Sequence, residues 1–127
     1  MPEILWRYGF DKEALEIWLR MTSQDYTRRE YPEIAFAALG AVVSGYLGIR
    51  PDAANKTIHT RSAVEDDGFA EINYLPLWGG YINLRYQDKT VFALDNLSCS
   101  DLTWICDFDG IKKTQAVRAG ESLEIKR

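Results

Sequence analysis

The first part of the chain repeats its apolar residues at helical spacing, and the remainder repeats them at every second position. Phe10, Ala14, Trp18 and Met21 recur at helical intervals, with Leu15, Ile17 and Leu19 beside them. This spacing predicts a helix capped by Asp11, with Glu13 and Glu16 at its positive N-terminal end. The polar stretch Gln24 to Glu30 reads as a loop. A second helix is predicted from Pro32, a residue suited to a first helical turn, with Glu33 next to it. Its body, Ile34 to Leu47, has no polar stripe; Gly48 is placed to close it and Pro51 to stop it. A helix that is apolar all round is buried on all sides or lies in lipid. This run is shorter than the ~18 residues of a membrane span, so no membrane partner is expected. One partner helix and one sheet can hardly cover every face of it. The expectation is a homo-oligomer, or a place in a larger helical array.

From Thr57 the period changes to two. Candidate strands are Thr57–Ser62, Phe69–Leu75, Tyr81–Tyr86, Thr90–Leu94, Leu102–Phe108, Lys113–Arg118 and Ser122–Lys126. Ile82, Leu84 and Tyr86 alternate with Asn83 and Arg85, and Leu102, Trp104, Cys106 and Phe108 share one face. Turn signals separate the strands at Gly79-Gly80, Gln87-Asp88-Lys89, Asp109-Gly110 and Ala119-Gly120. The predicted fold is α+β: an N-terminal helical hairpin over residues 1–50, packed on a C-terminal antiparallel β-sandwich of about seven strands over 51–127. Glu65-Asp66-Asp67 reads as a solvated loop.

Composition narrows the functions. With 127 residues, 46% of them hydrophobic, the chain can bury a core. A net charge of −4 argues against a nucleic-acid or anionic-membrane binder. The N-terminus lacks the basic and apolar regions of a signal peptide. His59 is the sole histidine and there is no Cys-x-x-Cys, so no metal site is argued, and no cofactor motif is present. His59 alternates with Ile58 and Thr60 as a strand residue facing solvent or a hydrogen-bond partner. Cys99 and Cys106 are read as free thiols.

One stretch has a family look. Tyr31-Pro32-Glu33-Ile34-Ala35-Phe36-Ala37-Ala38-Leu39-Gly40, followed by Gly45-Tyr46-Leu47-Gly48-Ile49-Arg50-Pro51-Asp52, resembles the last inner helix of six-hairpin, (α/α)6-barrel glycoside hydrolases, above all the α-L-rhamnosidase-like group. In that family such a helix runs directly into a C-terminal β-sandwich. Tyr8 to Leu15 resembles the family's helix opening, Thr22 to Tyr26 the loop after it, and Gly80 to Tyr86 a sandwich hairpin. The resemblance implies that this chain is the last hairpin plus the sandwich, the C-terminal part of such an enzyme. It also explains the second helix, whose family counterpart is packed on every side, and implies association with a missing barrel partner or with copies of the chain.

Glycoside hydrolysis needs two carboxyl groups at a defined separation. The resemblance puts the family's acids on earlier hairpins, so the chain is expected not to be catalytic alone. Matching on Gly40, a family histidine falls at Glu33, the candidate catalytic residue. A helix N-terminus favours its ionised form, which suits a base or acceptor; equally, Glu33 complements the helix dipole. For carbohydrate binding the candidates are Trp78, in Leu77-Trp78-Gly79-Gly80, and Tyr81 beside it; a tryptophan there could instead pack at the junction of sandwich and helices. Trp18 is assigned to the helix core and Trp104 to the sandwich core. The functional expectation is a structural or assembly module of a glycoside-hydrolase-like protein, with a carbohydrate-binding accessory sandwich as the alternative.

Overall fold

A computed structural model describes residues 2–25 and 32–127, the side chains of 32–34 excepted. The fold is α+β and predominantly β, in two compact units, Met1–Ile49 and Arg50–Arg127.

The helical unit contains α1 (Pro2–Arg7), α2 (Asp11–Thr22) and α3 (Pro32–Gly40), and α3 continues into a π-helical segment, Ala41–Tyr46. Helix α1 is an addition to the hairpin expected from the sequence. Pro2 suits a first turn, and Glu3 and Arg7 form an exposed i,i+4 ion pair of 3.3 Å. Asp11 is the first residue of α2 and not its cap; Phe10 holds the N-cap position, without a side-chain cap bond. Ala14 is buried, while Phe10 is exposed and Trp18 half-buried, with its indole N–H donating to the Ala38 carbonyl at 2.9 Å. Of the expected loop, residues 26–30 lie outside the described residues.

The second helix departs from α geometry where its small residues cluster. Leu47 N–H donates to Val42 O at 2.8 Å, the wider π spacing. Ser44 Oγ donates back to the Gly40 carbonyl at 2.8 Å, competing for the α ladder. Gly45 lets α1 come close: a Cβ there would lie 2.6 Å from Trp6 Cε3. Trp6 is buried and packs on Tyr46 with ring centroids 5.6 Å apart. Gly48 closes the segment with φ +59°.

The second unit is a sandwich of eight strands: β1 (Arg50–Asp52), β2 (Thr57–Arg61), β3 (Phe69–Leu77), β4 (Gly80–Gln87), β5 (Val91–Asn96), β6 (Leu102–Phe108), β7 (Ile111–Val117) and β8 (Ser122–Lys126). One sheet has the order β1-β2-β6-β7 and the other β3-β4-β5-β8. The expected strands are present, and β1 is added. Pro51 does not stop the chain; it sits in β1 opposite Ile58, at a sheet edge, where a missing N–H is tolerated. The pairing is antiparallel except for β2 and β6, which run parallel. The hairpins of the other sheet supply the long crossover that a parallel pair requires. Alternation reports which face is buried and is silent on strand direction.

The two sheets meet through aromatic side chains. Phe92 of β5 stacks on Phe108 of β6 at 4.2 Å, and Tyr86 of β4 leans on Phe92 at 4.5 Å. Leu102, Trp104, Cys106 and Phe108 are all buried, as their alternation predicts. Inside this layer Trp104 Nε1–H donates to the Thr60 hydroxyl at 2.9 Å, and Thr60 donates weakly to Cys106 Sγ at 3.8 Å. Tyr86 also shares a hydrogen bond with Thr60, while burial pushes its hydroxyl well above the ordinary tyrosine range.

Asn96, at the end of β5, is fully buried and satisfied. Its Nδ2 donates to the carbonyls of Ser100, Val117 and Arg118 at 2.9, 3.2 and 3.1 Å. Its Oδ1 accepts from Ser98 N–H and Ser98 Oγ–H at 3.1 and 2.7 Å. Its backbone exchanges bonds with Glu121 and Gly120. One side chain thus ties β5, the loop after it and the β7–β8 turn.

This core makes three predictions. Asn96→Ala leaves three carbonyls and a serine without their partner, and should cost about 3 kcal/mol in urea unfolding; a loss within experimental error would show that water replaces the amide. Burial pushes the Cys106 thiol up to about 12, against smaller opposing effects of Thr60 and Lys113. A raised folded value means full stability below the unfolded thiol value and loss above it. The unfolding midpoint should therefore fall as pH rises from 9 toward 12. At pH 8, exposed Cys99 should react with a disulfide reagent in the native state, and Cys106 only after unfolding.

Candidate functional site

The β3–β4 hairpin gathers the exposed aromatic residues of the sandwich. Leu77 and Gly80 pair, so Trp78 and Gly79 are the two central turn residues, with φ +47° and +80°. Two positive φ values match the primed turn whose twist suits a hairpin. Gly79 takes this at no steric cost; a tryptophan takes it at strain. The Trp78 ring is half-buried, with Lys56 Nζ 5.1 Å from its centroid. Lys56 is placed by a turn that Asp52 orders, accepting from Asn55 N–H at 3.2 Å and from Asn55 Nδ2 at 2.7 Å. The Asn55 side chain is the main reason the Asp52 carboxyl is held below its ordinary value.

Further along, β3 carries a bulge. Ile72 pairs with Leu84 and Leu75 with Ile82, so Asn73 and Tyr74 together oppose Asn83. Tyr74 has φ +55°. Its N–H donates to Asn83 Oδ1 at 2.8 Å, and Asn83 Nδ2 donates to Asp95 Oδ2 at 3.1 Å. The amide and the carboxylate therefore hold the bulge from the neighbouring strands. The Tyr74 ring lies 6.1 Å from that of Tyr81, nearly perpendicular to it. Both are exposed, at 67% and 47%.

In β4 the residues Ile82, Leu84 and Tyr86 face the core, so Tyr81, Asn83 and Arg85 face outward. Arg85 lies opposite Glu71 of β3 and 3.8 Å from Glu124 of β8. A shallow cavity of about 370 Å³ is lined by the hairpin tip, from Pro76 to Tyr81. A smaller cleft is lined by Glu71, Asn83, Leu84, Arg85, Ala93 and Asp95.

The structure thus brings Trp78 and Tyr81 to one cavity, with Tyr81 the more open ring and Trp78 partly covered by Lys56. Glu33 belongs to α3 in the other unit, and its side chain lies outside the described residues. His59 is an exposed residue of β2. Cys99 and Cys106 are both free. Among the described residues no cluster of histidine, cysteine and carboxylates could hold a metal ion, and no helix is long and apolar enough to cross a membrane. Sequence reasoning missed Tyr74, Asn83, Arg85 and Asp95. The outward parity of Asn83 and Arg85 was visible, but the bulge that turns Tyr74 toward Tyr81 carries no glycine to mark it.

No family model and no curated protein matches the chain. Among solved structures, one described as "Putative kojibiose phosphorylase from human microbiome" is similar over 99% of this chain, with a TM-score of 0.72 and 17% sequence identity. The similar region is 17% of that longer chain. The fold is therefore shared with a segment of that much longer chain.

A bulky residue held at positive φ costs on the order of 1 kcal/mol. Asparagine tolerates that region better. Tyr74→Asn should therefore raise the urea midpoint of the chain or leave it unchanged. A clear fall would show that the packing of Tyr74 on Tyr81 outweighs the backbone strain.

Proposed function

We propose that the chain is a non-catalytic helix-plus-sandwich module of a glycoside-hydrolase-like protein, equivalent to the last hairpin and C-terminal sandwich of a six-hairpin enzyme, and that it assembles through α3. The observation that carries this is the exposed face of that helix. Phe36 and Leu39 are 72% and 67% exposed, and from Ile34 to Gly40 the sequence has no polar side chain. Large apolar side chains left in water on one helix mark an interaction surface. Burying each such side chain contributes about 2 kcal/mol.

The fold likeness supports the module reading, since the region shared is a small part of a much longer chain. The motif from Gly45 to Asp52 supports the finer relation to α-L-rhamnosidase-like enzymes. In such a barrel the inner helix is covered by its neighbours. In the isolated chain a second copy covers it, α3 against α3, because the same apolar face serves both partners in a two-fold pair.

Light scattering at micromolar concentration tests this. The wild type should be a dimer or larger, and Phe36→Glu with Leu39→Lys should return it to a monomer with an unchanged circular dichroism spectrum. A wild-type chain that is already a stable monomer overturns the assembly reading.

A further inference from the structure

We propose that the outward face of β3, β4 and β5 is a carbohydrate site, built for a short oligosaccharide. It does not depend on the helical assembly above. The site is the juxtaposition of two exposed rings, Tyr74 and Tyr81, with Asn83, Arg85 and Asp95 on the same side of one sheet.

The rings supply the apolar half of recognition. Tyr74 and Tyr81 meet at 83°, so between them they offer a ring face and a ring edge to one neighbour. The C–H face of a sugar ring is the kind of surface that stacks on such a ring. The polar half lies next along β4. Asn83 follows Tyr81 by two residues and Arg85 by four, all on one face. At a strand rise of ~3.4 Å per residue, Tyr81 to Arg85 spans about 14 Å, too long for one sugar ring and suited to a short chain of them. Asp95 accepts from Asn83 through one of its two carboxylate oxygens; Arg85 has five N–H donors and, among the described residues, an ion pair with Glu124 at the long distance of 3.8 Å. A rim of planar donors and acceptors beside an aromatic platform matches the hydroxyls and C–H faces of carbohydrate.

The backbone points the same way. Tyr74 and Trp78 are both large residues held at positive φ on this one hairpin. Strain of that kind clusters where a ligand is gripped. The site is also pre-set: Asn83 and Asp95 fix the bulge, and Leu97 N–H donates to the Tyr81 carbonyl at 2.9 Å. Other ligands fit less well. Glu71, Asp95 and Glu124 repel a phosphate backbone. Addition of a peptide strand at the β3 edge is obstructed by Pro76 and the bulge.

Titration calorimetry of the full chain with short gluco- and rhamno-oligosaccharides, alongside free glucose and rhamnose, tests the proposal. At least one oligosaccharide should bind saturably and more tightly than its monosaccharide. Tyr81→Ala and Arg85→Ala should each weaken it by roughly tenfold, with melting temperatures near the wild type because both side chains are exposed. Tyr81→Phe should retain binding, since the ring face is kept. His59→Ala, on the other sheet, should leave it unchanged. No saturable binding of any oligosaccharide overturns the proposal. So does binding that Tyr81→Ala and Arg85→Ala do not affect, or that His59→Ala weakens as much as they do.

Discussion

The buried amide of Asn96 is the constraint on which the sandwich depends. Its three acceptors lie on the loop after β5 and at the end of β7, so strands of opposite sheets and the turn into β8 share one donor group. A buried polar group of this kind either finds all its partners or costs free energy in full. It therefore fixes one arrangement of the loops at that end of the molecule. The 97–100 loop then reaches the β3–β4 hairpin: Leu97 bonds to Tyr81, and Ser98 comes so near Gly80 that a Cβ there would lie 2.5 Å from Ser98 Cα. The aromatic cluster outside the sheet thus stands on a polar network inside it.

The two units hide their apolar surface to different degrees. In the sandwich, alternation puts large side chains between two sheets, and the Phe92–Phe108 stack closes the layer. The helical unit packs Trp6, Ala14 and Ala41 inside but leaves Phe36 and Leu39 in water. Among the described residues the sandwich thus keeps large side chains between its sheets, whereas the helical unit keeps Phe36 and Leu39 on the surface.

Much of this was legible in the sequence. Period-two alternation located β2 to β8, and Asp109-Gly110 marked a hairpin whose two central residues both have positive φ. The α+β class followed from the change of period at Thr57. What alternation lacks is direction and exceptions. It could not show that β2 and β6 run parallel, because inward parity is the same either way. It could not show β1, three residues long and containing a proline. The π-helical turn was hidden because Ala41, Gly45 and their neighbours suit α and π geometry alike; what widens the turn is Ser44 and the approach of Trp6. At the candidate site, Trp78 and Tyr81 stood out by residue type and place. Tyr74 did not, since its position rests on a bulge that Asn83 and Asp95 hold from other strands.

The edges of the two sheets give the bulge and the prolines a further meaning. The β1 edge has Pro51, the β3 edge has the bulge and Pro76, and β7 presents Lys112 and Lys113. Each makes it hard for a foreign strand to continue the hydrogen-bond ladder. Three of the four sheet edges, β8 being the fourth, therefore resist strand addition, although the sandwich is rich in β-structure and aromatic residues. At those three edges any contact with another chain would fall to side chains, which can be matched to a chosen partner, and not to main chain, which would accept almost any.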